Sequence, residues 1–414
     1  MTHSVVVVSY RPTDRLARCL DSVTAQAGPG VGEIDLIVVD NGSPGEAASR
    51  IAARHGARSI RLPENRGFAA GANVGAAHAA GEVVAFLNDD AQAGDGWLAS
   101  ASAALEDPTV AAVGPKIVLS GRYLEICLDD DTWFAPGDPR PLGRQLVSAT
   151  LGGRDVLPYL VGAGIHRLET DPMVASAHPG HVRGGMNGGG TKHRWRWTAG
   201  RDIPFFVPLP PGTDQVELVL NGEVVRPSRV VDLLNSVGTY LREDGYVGDV
   251  GADVPDDEEF DTWEERFGVT GAALVTTREV LSKVGPFESR FFAYYEDADW
   301  CWRAHLQGYR LLFDPSVTVR HERGATSGGV LSRRVRFLLE RNRLLTLLRN
   351  GPLELAAREA WKKGRGGGDD GVAEIVWRVL PRALAERALL QRSWVLSPRE
   401  VAERWAGVDV PAAV

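Results

Sequence analysis

The stretch Val83-Val84-Ala85-Phe86-Leu87-Asn88-Asp89-Asp90 restricts this chain more than any other. Five apolar residues in a row, led by two β-branched ones, predict a strand buried on both faces. The run stops at two carboxylates and an amide, where a buried strand can only be leaving the core. In an α/β sheet the carboxyl ends of the strands are where ligands bind. Mg²⁺ is usually held by one or two carboxylates together with substrate phosphates. The stretch therefore predicts a metal–diphosphate site, and taken alone it fits a polar turn equally well.

The preceding segments supply the context. Ser4–Ser9 (Ser-Val-Val-Val-Val-Ser) predicts a first buried strand, and Thr13 or Asp14 caps a helix through Leu16, Leu20 and Val23. A second strand, Ile34–Val39, ends at Asp40-Asn41-Gly42-Ser43. A helix over Gly45–His55, a short strand Ser59–Leu62 and a small-residue helix Ala69–Ala80 follow. Strands alternating with helices predict β-α-β units and a mostly parallel sheet. Asp40 then shares one crevice with Asp89 and Asp90. No Gly-x-Gly-x-x-Gly follows the first strand and no Gly-x-x-x-x-Gly-Lys-Ser/Thr occurs, which disfavours a dinucleotide fold and a P-loop NTPase. A nucleotide site built from carboxylates and a metal is left.

Four motifs carry a resemblance: Val-Val-Val-Val-Ser-Tyr-Arg, Val-Val-Asp-Asn-Gly-Ser, Glu-Asn-Arg-Gly-Phe-Ala-Ala-Gly-Ala-Asn and Phe-Leu-Asn-Asp-Asp-Ala. In this order over about a hundred residues, they resemble the nucleotide-sugar domain of family 2 glycosyltransferases, with the rhamnosyl- and galactofuranosyltransferase-like members nearest. The resemblance covers roughly residues 4–118 and 232–350. It implies a GT-A fold: a mostly parallel α/β sheet flanked by helices, carrying an inserted mainly β module and a helical C-terminal region. The implied division is 1–119 for nucleotide-sugar binding, 120–231 for the insertion, 232–330 for the acceptor and catalytic part, and 331–414 for the basic helical region.

Val110–Val118 predicts the next strand. From about Ser120 the β-α rhythm stops and Gly, Pro, Trp and His become frequent. Gly184–Gly190 predicts a loop, while Arg194–Trp197, Ile203–Val207 and Gln215–Leu220 predict short strands. Asn221-Gly222 signals a hairpin turn. The tryptophans either stack on sugar faces or fill the module's own core. His166, His178, His181 and His193 lack ligand spacing.

Phe267–Val275 predicts a strand with a close backbone approach at Gly271, and Thr276 or Thr277 caps a helix ended by Gly285-Pro286. Tyr294-Tyr295-Glu296-Asp297-Ala298-Asp299 places three carboxylates within four positions between aromatic residues. Acidic residues also suit a helix first turn, but crowding and burial raise a carboxylate's pKa, as a base requires. The block is similar to the family's acceptor-side Glu-Asp motif, which implies Asp297 as general base and Glu296 as its supporting carboxylate. Asp299, on another helix face, is expected to be structural. Arg310–Asp314 and Val317–His321 predict two closing strands. The resemblance implies His321 as a metal ligand with Asp90, and imidazole beside carboxylate suits Mn²⁺ at least as well as Mg²⁺. It also places Asp40 on the nucleobase or ribose, and Ser9, Asn65, Arg66, Asn73, Asn88 and Asp89 around the donor. Arg323, Thr326 and Ser327 are expected in a loop near the diphosphate. Asn88 departs from the pattern, since many members have Asp there, and this puts the metal affinity in doubt.

The charge is unevenly spread. Arg333–Arg404 holds 16 Lys and Arg against 9 Asp and Glu, a net +7 in a chain of −8, while Glu243–Glu265 holds eleven acidic residues and no basic one. The basic end predicts either packing helices, with an apolar stripe of Val335, Leu338, Leu339, Leu345 and Leu348, or peripheral contact with a membrane. No apolar run approaches a span, no signal pattern opens the chain, and three scattered cysteines fit a reduced cytoplasmic setting. The expectation is a metal-dependent, inverting transfer of sugar from a nucleoside-diphosphate sugar to a glycan or lipid-linked acceptor in cell-surface polysaccharide synthesis. No nucleic acid is expected as partner, and the lack of Gln-x-x-Arg-Trp disfavours a processive synthase. The alternative is a non-catalytic glycan- or nucleotide-sugar-binding protein of the same fold. A sugar nucleotidyltransferase would need a Gly-rich basic loop where Ser9-Tyr10-Arg11-Pro12 stands.

Overall fold

In a computed structural model, the structure describes residues 1–28, 30–135, 138, 140–166, 195–200, 203–210, 216–322, 333–365 and 372–409. The expectations for Gly184–Gly190, His178, His181, His193, Arg323, Thr326 and Ser327 lie outside them. The chain forms two compact units. One comprises Met1–Ser120, Leu234–Ala252 and the chain from Asp257 onward; the other comprises Gly121–Leu233 with Asp253–Asp256.

The first unit opens with the predicted alternation: β1 (His3–Ser9), α1 (Asp14–Thr24), β2 (Ile34–Asp40), α2 (Ala47–Arg54), β3 (Arg58–Arg61), α3 (Phe68–His78) and β4 (Val83–Asn88). β5 (Ala91–Ala93), α4 (Trp97–Ala104) and β6 (Val110–Leu119) follow, then β7 (Leu234–Ser236), β8 (Glu264–Glu265), β9 (Ala273–Thr277) and α5 (Arg278–Val284). α6 (Glu296–Leu306), β10 (Arg310–His321), α7 (Arg333–Asn350), α8 (Leu353–Arg365), α9 (Val372–Leu390) and α10 (Pro398–Trp405) complete it. Among the described residues these strands make one sheet in the order β8-β10-β6-β9-β4-β1-β2-β3, with β7 on β6 and β5 on β10, and Thr239–Leu241 pairs separately with Val247–Asp249. β1 pairs in parallel with β2 and β4, and β10 with β6; β9 runs antiparallel between β4 and β6.

Burial explains the apolar runs. Val5 and Val7 face one core layer with Leu16, Leu20 and Val23 of α1, while Val6 faces the other with Ala69 and Ala72 of α3. The strand predicted over 267–275 begins only at Ala273. Side chains and distant backbone take the groups a ladder would use: His305 Nε2 meets the Phe267 carbonyl at 2.8 Å, the Thr239 N–H donates to the Gly268 carbonyl at 2.8 Å, and the Gly271 N–H donates to Asp297 at 2.8 Å. The two strands predicted over 310–321 are one, with a register shift between Asp314 and Thr318.

In the second unit, Tyr123–Ile126 lies between Phe205–Pro208 and Arg229–Val231, and a four-stranded sheet holds the hairpin Leu218–Leu220/Glu223–Val225. Asn221 and Gly222 both have positive φ, 50° and 90°, as the primed hairpin turn requires. Trp195 and Trp197 are buried with Ala135 and Leu142, with Trp133 edge-on to Trp197. These indoles fill the module's core, so they form no open platform for sugar.

The basic C-terminal region packs. Leu345 sits against Phe291, Tyr295 and Ala298, and Leu344, Leu347 and Leu348 join Phe267, Trp302 and Leu306. Among the described residues no helix is long and apolar enough to cross a membrane. Ion pairs anchor this region to α6. Asp299, fully buried, meets Arg303 at 2.9 Å and Arg349 at 3.0 Å and accepts from Asn350 at 2.8 Å. Arg349 also reaches Glu288 at 2.7 Å and Glu386 of α9 at 2.6 Å. Removing one member of a buried ionic network strands the others. Asp299→Ala should therefore destabilise the unit by roughly 3 kcal/mol, read as a lowered urea midpoint, while a surface substitution such as Glu279→Ala should change it little.

Candidate active site

The register of the parallel strands brings the first group together. Ser9 pairs with Asp40, and Val8 pairs with Asn88, so Ser9, Asp40 and Asn88 end neighbouring strands at one sheet edge. Asp40 is wholly buried. Its Oδ1 accepts the Ser43 N–H at 2.9 Å, while its Oδ2 has no hydrogen-bond partner and lies 3.7 Å from Arg61 Nε. A buried carboxylate oxygen left open in this way is costly unless a ligand donor meets it.

Asn41 organises the neighbouring loop. Its Nδ2 donates to Asn65 Oδ1 at 3.1 Å and to the Gly67 carbonyl at 3.0 Å, and its Oδ1 accepts the Arg66 N–H at 2.9 Å. Gly42, at φ 74°, packs so closely on Glu64 and Asn65 that a Cβ would overlap their backbone. Asn65 thus sits beside the strand end and the Arg66 side chain is exposed. Asn73 is placed otherwise: its Nδ2 donates to the Phe287 carbonyl at 2.8 Å and to Ser289 Oγ at 3.1 Å, and its Oδ1 accepts the Phe287 N–H at 2.9 Å. Both amide protons hold the turn before Ser289 and none is left to frame a nucleotide.

Asp89 accepts the Ser9 hydroxyl at 2.6 Å. Burial pushes its pKa up to about 6, with the Ser9 bond opposing and the Asp90 charge adding. His321 Nε2 lies 3.2 Å from Asp90 Oδ1 and 3.3 Å from Asn88 Nδ2, and Nδ1 lies 2.6 Å from Asn235 Oδ1. Asn235 anchors the Nδ1 side of the ring, so Nε2 is the nitrogen turned toward Asp90, and an imidazole held through one nitrogen in this way is the usual arrangement of a metal ligand. Among the described residues no group of three or more His, Cys, Asp or Glu side chains is set to hold a metal. Asp90 and His321 stand side by side, and a cation between them would need further ligands such as phosphate and water.

The second group stands at the start of α6. Asp297 Oδ2 accepts the Gly271 N–H at 2.8 Å and Oδ1 accepts the Ala298 N–H at 2.8 Å. Burial raises its pKa above the ordinary carboxylate value, and these two N–H groups oppose the rise. Glu296 is buried, its Oε2 has no hydrogen-bond partner, and burial with the neighbouring Asp297 charge pushes its pKa up to about 8. For Asp299 burial alone would also raise the pKa, but the Arg349 and Arg303 guanidiniums bring it below the ordinary value. The two groups are joined: the Asn88 N–H donates to the Ala272 carbonyl at 3.0 Å, next to the Gly271 N–H that holds Asp297.

Asn41, Asn235 and Asn342 were not singled out in the sequence. Asn41 was visible as the neighbour of Asp40. The other two carry no local signal, because their partners are distant in the chain.

Residues 4–124 match the model described as Glycosyl transferase family 2. Over 85 residues, 20% of this chain and 18% of the relative, the chain is 40% identical to the pre-mycofactocin glycosyltransferase of Mycobacterium tuberculosis. It is 28% identical over 118 residues to glycosyltransferase AglE of Haloferax volcanii, covering 28% of this chain and 38% of AglE. The chain thus aligns with well under half the length of these curated relatives. A solved structure of GalNAc-T7 with UDP, GalNAc and Mn²⁺ has a TM-score of 0.53 at 13% identity, covering 97% of this chain and 56% of that one, a likeness of fold. Residues 4–124 are thus similar to the family 2 glycosyltransferases, and the fold is like that of a solved glycosyltransferase.

The Glu296 geometry has a consequence for stability. In the folded chain Glu296 keeps its proton up to about pH 8, whereas the ordinary glutamate value is 4.5. Between these values the unfolded state binds fewer protons, so this group's contribution to stability falls as pH rises. Glu296→Gln has no proton to lose. Its gain over the wild type should grow from near zero at pH 4.5 to on the order of 4 kcal/mol at pH 8, read from melting curves across that range. A pH-independent difference would contradict the buried, protonated glutamate.

Proposed function

We propose that this protein transfers a sugar from a nucleoside-diphosphate sugar to an acceptor hydroxyl with inversion at the anomeric carbon. The observation that carries the reading is the shared anchor at Gly271-Ala272. Ala272 accepts from Asn88 at the donor-side strand end, and Gly271 donates to Asp297 at the acceptor side. Carboxylates with separate environments and separate roles are thereby fixed to one backbone segment.

On the donor side, Asp40 takes a ribose or base donor on its open Oδ2, with Ser9, Asn65, Arg66, Asn88 and Asp89 around it. Asp90 and His321 would hold a divalent cation, Mn²⁺ or Mg²⁺. When bound, such an ion neutralises the diphosphate and makes it a better leaving group. The relatives' names and the Mn²⁺ and UDP of the GalNAc-T7 structure support this reading of the donor.

On the acceptor side, Asp297 takes the proton of the acceptor hydroxyl. The oxygen bonds to the anomeric carbon from the face opposite the diphosphate, whose C–O electron pair departs with it. Burial suits Asp297 to this, since a base works best with its pKa raised toward the working pH. Glu296, protonated in the same conditions, can donate to an acceptor oxygen without competing for the proton. Cell-surface polysaccharide is the proposed destination, and a glycan or lipid-linked acceptor the proposed partner. Any membrane contact would be peripheral, at the cytoplasmic face, through the basic C-terminal helices.

Two measurements test this. A thermal-shift panel of nucleoside diphosphates with Mn²⁺, Mg²⁺ or chelator should show one base stabilising the chain, with the shift lost in chelator. A ligand at a hundred times its Kd contributes about 2.7 kcal/mol. Asp297→Asn should lose about 10²–10⁴-fold in kcat while keeping that shift. Undiminished transfer by Asp297→Asn would rule out the base, and a chain that binds sugars but never transfers one would be a binding protein.

A further inference from the structure

The backbone that delivers Glu296 and Asp297 is held in conformations it would not choose alone. Phe292 (φ 67°, ψ −65°) is the centre of a γ-turn of the rarer, strained hand, closed by the Ala293 N–H on the Phe291 carbonyl at 2.8 Å. Tyr294 and Tyr295 follow at φ 70° and 71°. Three bulky residues with positive φ within four positions persist only when their surroundings dictate it. On one side the Phe292 carbonyl faces Gly67, at φ 83°, where a Cβ would overlap it.

On the other side stands α7. Asn342, wholly buried, sends Nδ2 to the carbonyls of Phe291 at 3.0 Å, Ala293 at 3.0 Å and Tyr294 at 2.7 Å. Its Oδ1 is taken by Arg341 through Nε at 2.9 Å and Nη2 at 2.8 Å, which fixes which end of the amide faces the loop. Arg341 Nη2 also donates to the carbonyls of Arg290 at 2.9 Å and Phe291 at 3.0 Å. One helix turn thus supplies the donors for four of the five carbonyls from Arg290 to Tyr294.

We infer that Asn342, oriented by Arg341, is a positioning residue of the transfer reaction. It holds the 291–295 loop in the strained form that aims Glu296 and Asp297 at the acceptor. The inference rests on the proposed transferase reading and makes the C-terminal helix part of the catalytic apparatus. An amide is required, because a carboxylate at 342 would turn negative oxygen toward three carbonyls, and alanine would remove the side-chain donor from those of Ala293 and Tyr294.

The test is steady-state kinetics on the full chain with Asn342→Ala, Asn342→Asp and Arg341→Ala, together with amide exchange of the 291–299 segment. Asn342→Ala and Asn342→Asp should lower kcat at least tenfold, and Arg341→Ala less. The donor KM and the nucleoside-diphosphate thermal shift should stay within twofold. Exchange should quicken at 291–299 and not at 83–90. Should the Asn342 variants fail to fold, Arg341→Ala decides. A kcat within twofold of wild type, or a parallel loss of donor binding and kcat, overturns the positioning role. A wild-type chain without transfer, or an active Asp297→Asn, instead overturns the reading beneath it, while the exchange result still reports on the loop.

Discussion

Asp299 carries a charge where no water can reach it, and much of the packing of α6, α7 and α9 is arranged around that fact. Two guanidiniums answer it, Arg303 from its own helix and Arg349 from α7, and Arg349 is shared with Glu288 before α6 and Glu386 on α9. Such a network adds little net stability over a well-packed apolar one, because desolvation consumes most of the attraction. What it supplies is uniqueness of position. Any shift of α7 or α9 against α6 would separate charges in a medium too poor to solvate them. The start of α6 is fixed by the same constraint.

That rigidity lets neighbouring carboxylates differ. Glu296 and Asp299 lie three residues apart on one helix and both are buried, yet their proton affinities move in opposite directions. Asp299 has cations and Glu296 has none; Glu296 has instead the Asp297 charge beside it. Asp297 stands between, with two backbone N–H groups to stabilise its charge and no cation to depress it further. Three carboxylates in four positions thus have three different proton affinities. Burial is common to all three, and only the partners differ.

The sequence made legible what is local. Val83–Asn88 is a strand because its side chains are apolar on both faces, and the carboxylates follow where it leaves the core. Asn221-Gly222 is a hairpin because of the φ values those residues accept. Other features depended on partners far along the chain. Phe267–Thr270 has strand composition but its backbone groups are claimed by His305, Thr239 and Cys301, so the ladder starts later. Asn73 lies in a motif associated with the donor, yet Phe287, more than two hundred residues away, occupies its amide. The C-terminal arginines gave the composition of a membrane-facing surface, while Arg341, Arg343, Arg349 and Arg387 spend their charge on buried carbonyls and carboxylates. Net charge says nothing of which way a side chain points.

Asn88 shows the same logic on the donor side. A diphosphate bound as proposed would bring negative charge into a crevice that already holds Asp40, Asp89 and Asp90. A fourth acid at 88 would strengthen a cation's hold but repel such a ligand whenever the cation is absent. The amide there is neutral, lies 3.3 Å from His321 Nε2, and is fixed by its own backbone: its N–H on Ala272 and its carbonyl accepting from Cys19 Sγ at 3.3 Å. Asp89, tied to Ser9 and desolvated, holds its proton to about pH 6, so its charge is lost at a higher pH than an ordinary carboxylate's. If Asp90 and His321 hold a cation as proposed, the neutral amide at 88 leaves them to do so without a further carboxylate from the same run, and Asn235 beside Nδ1 orients the ring.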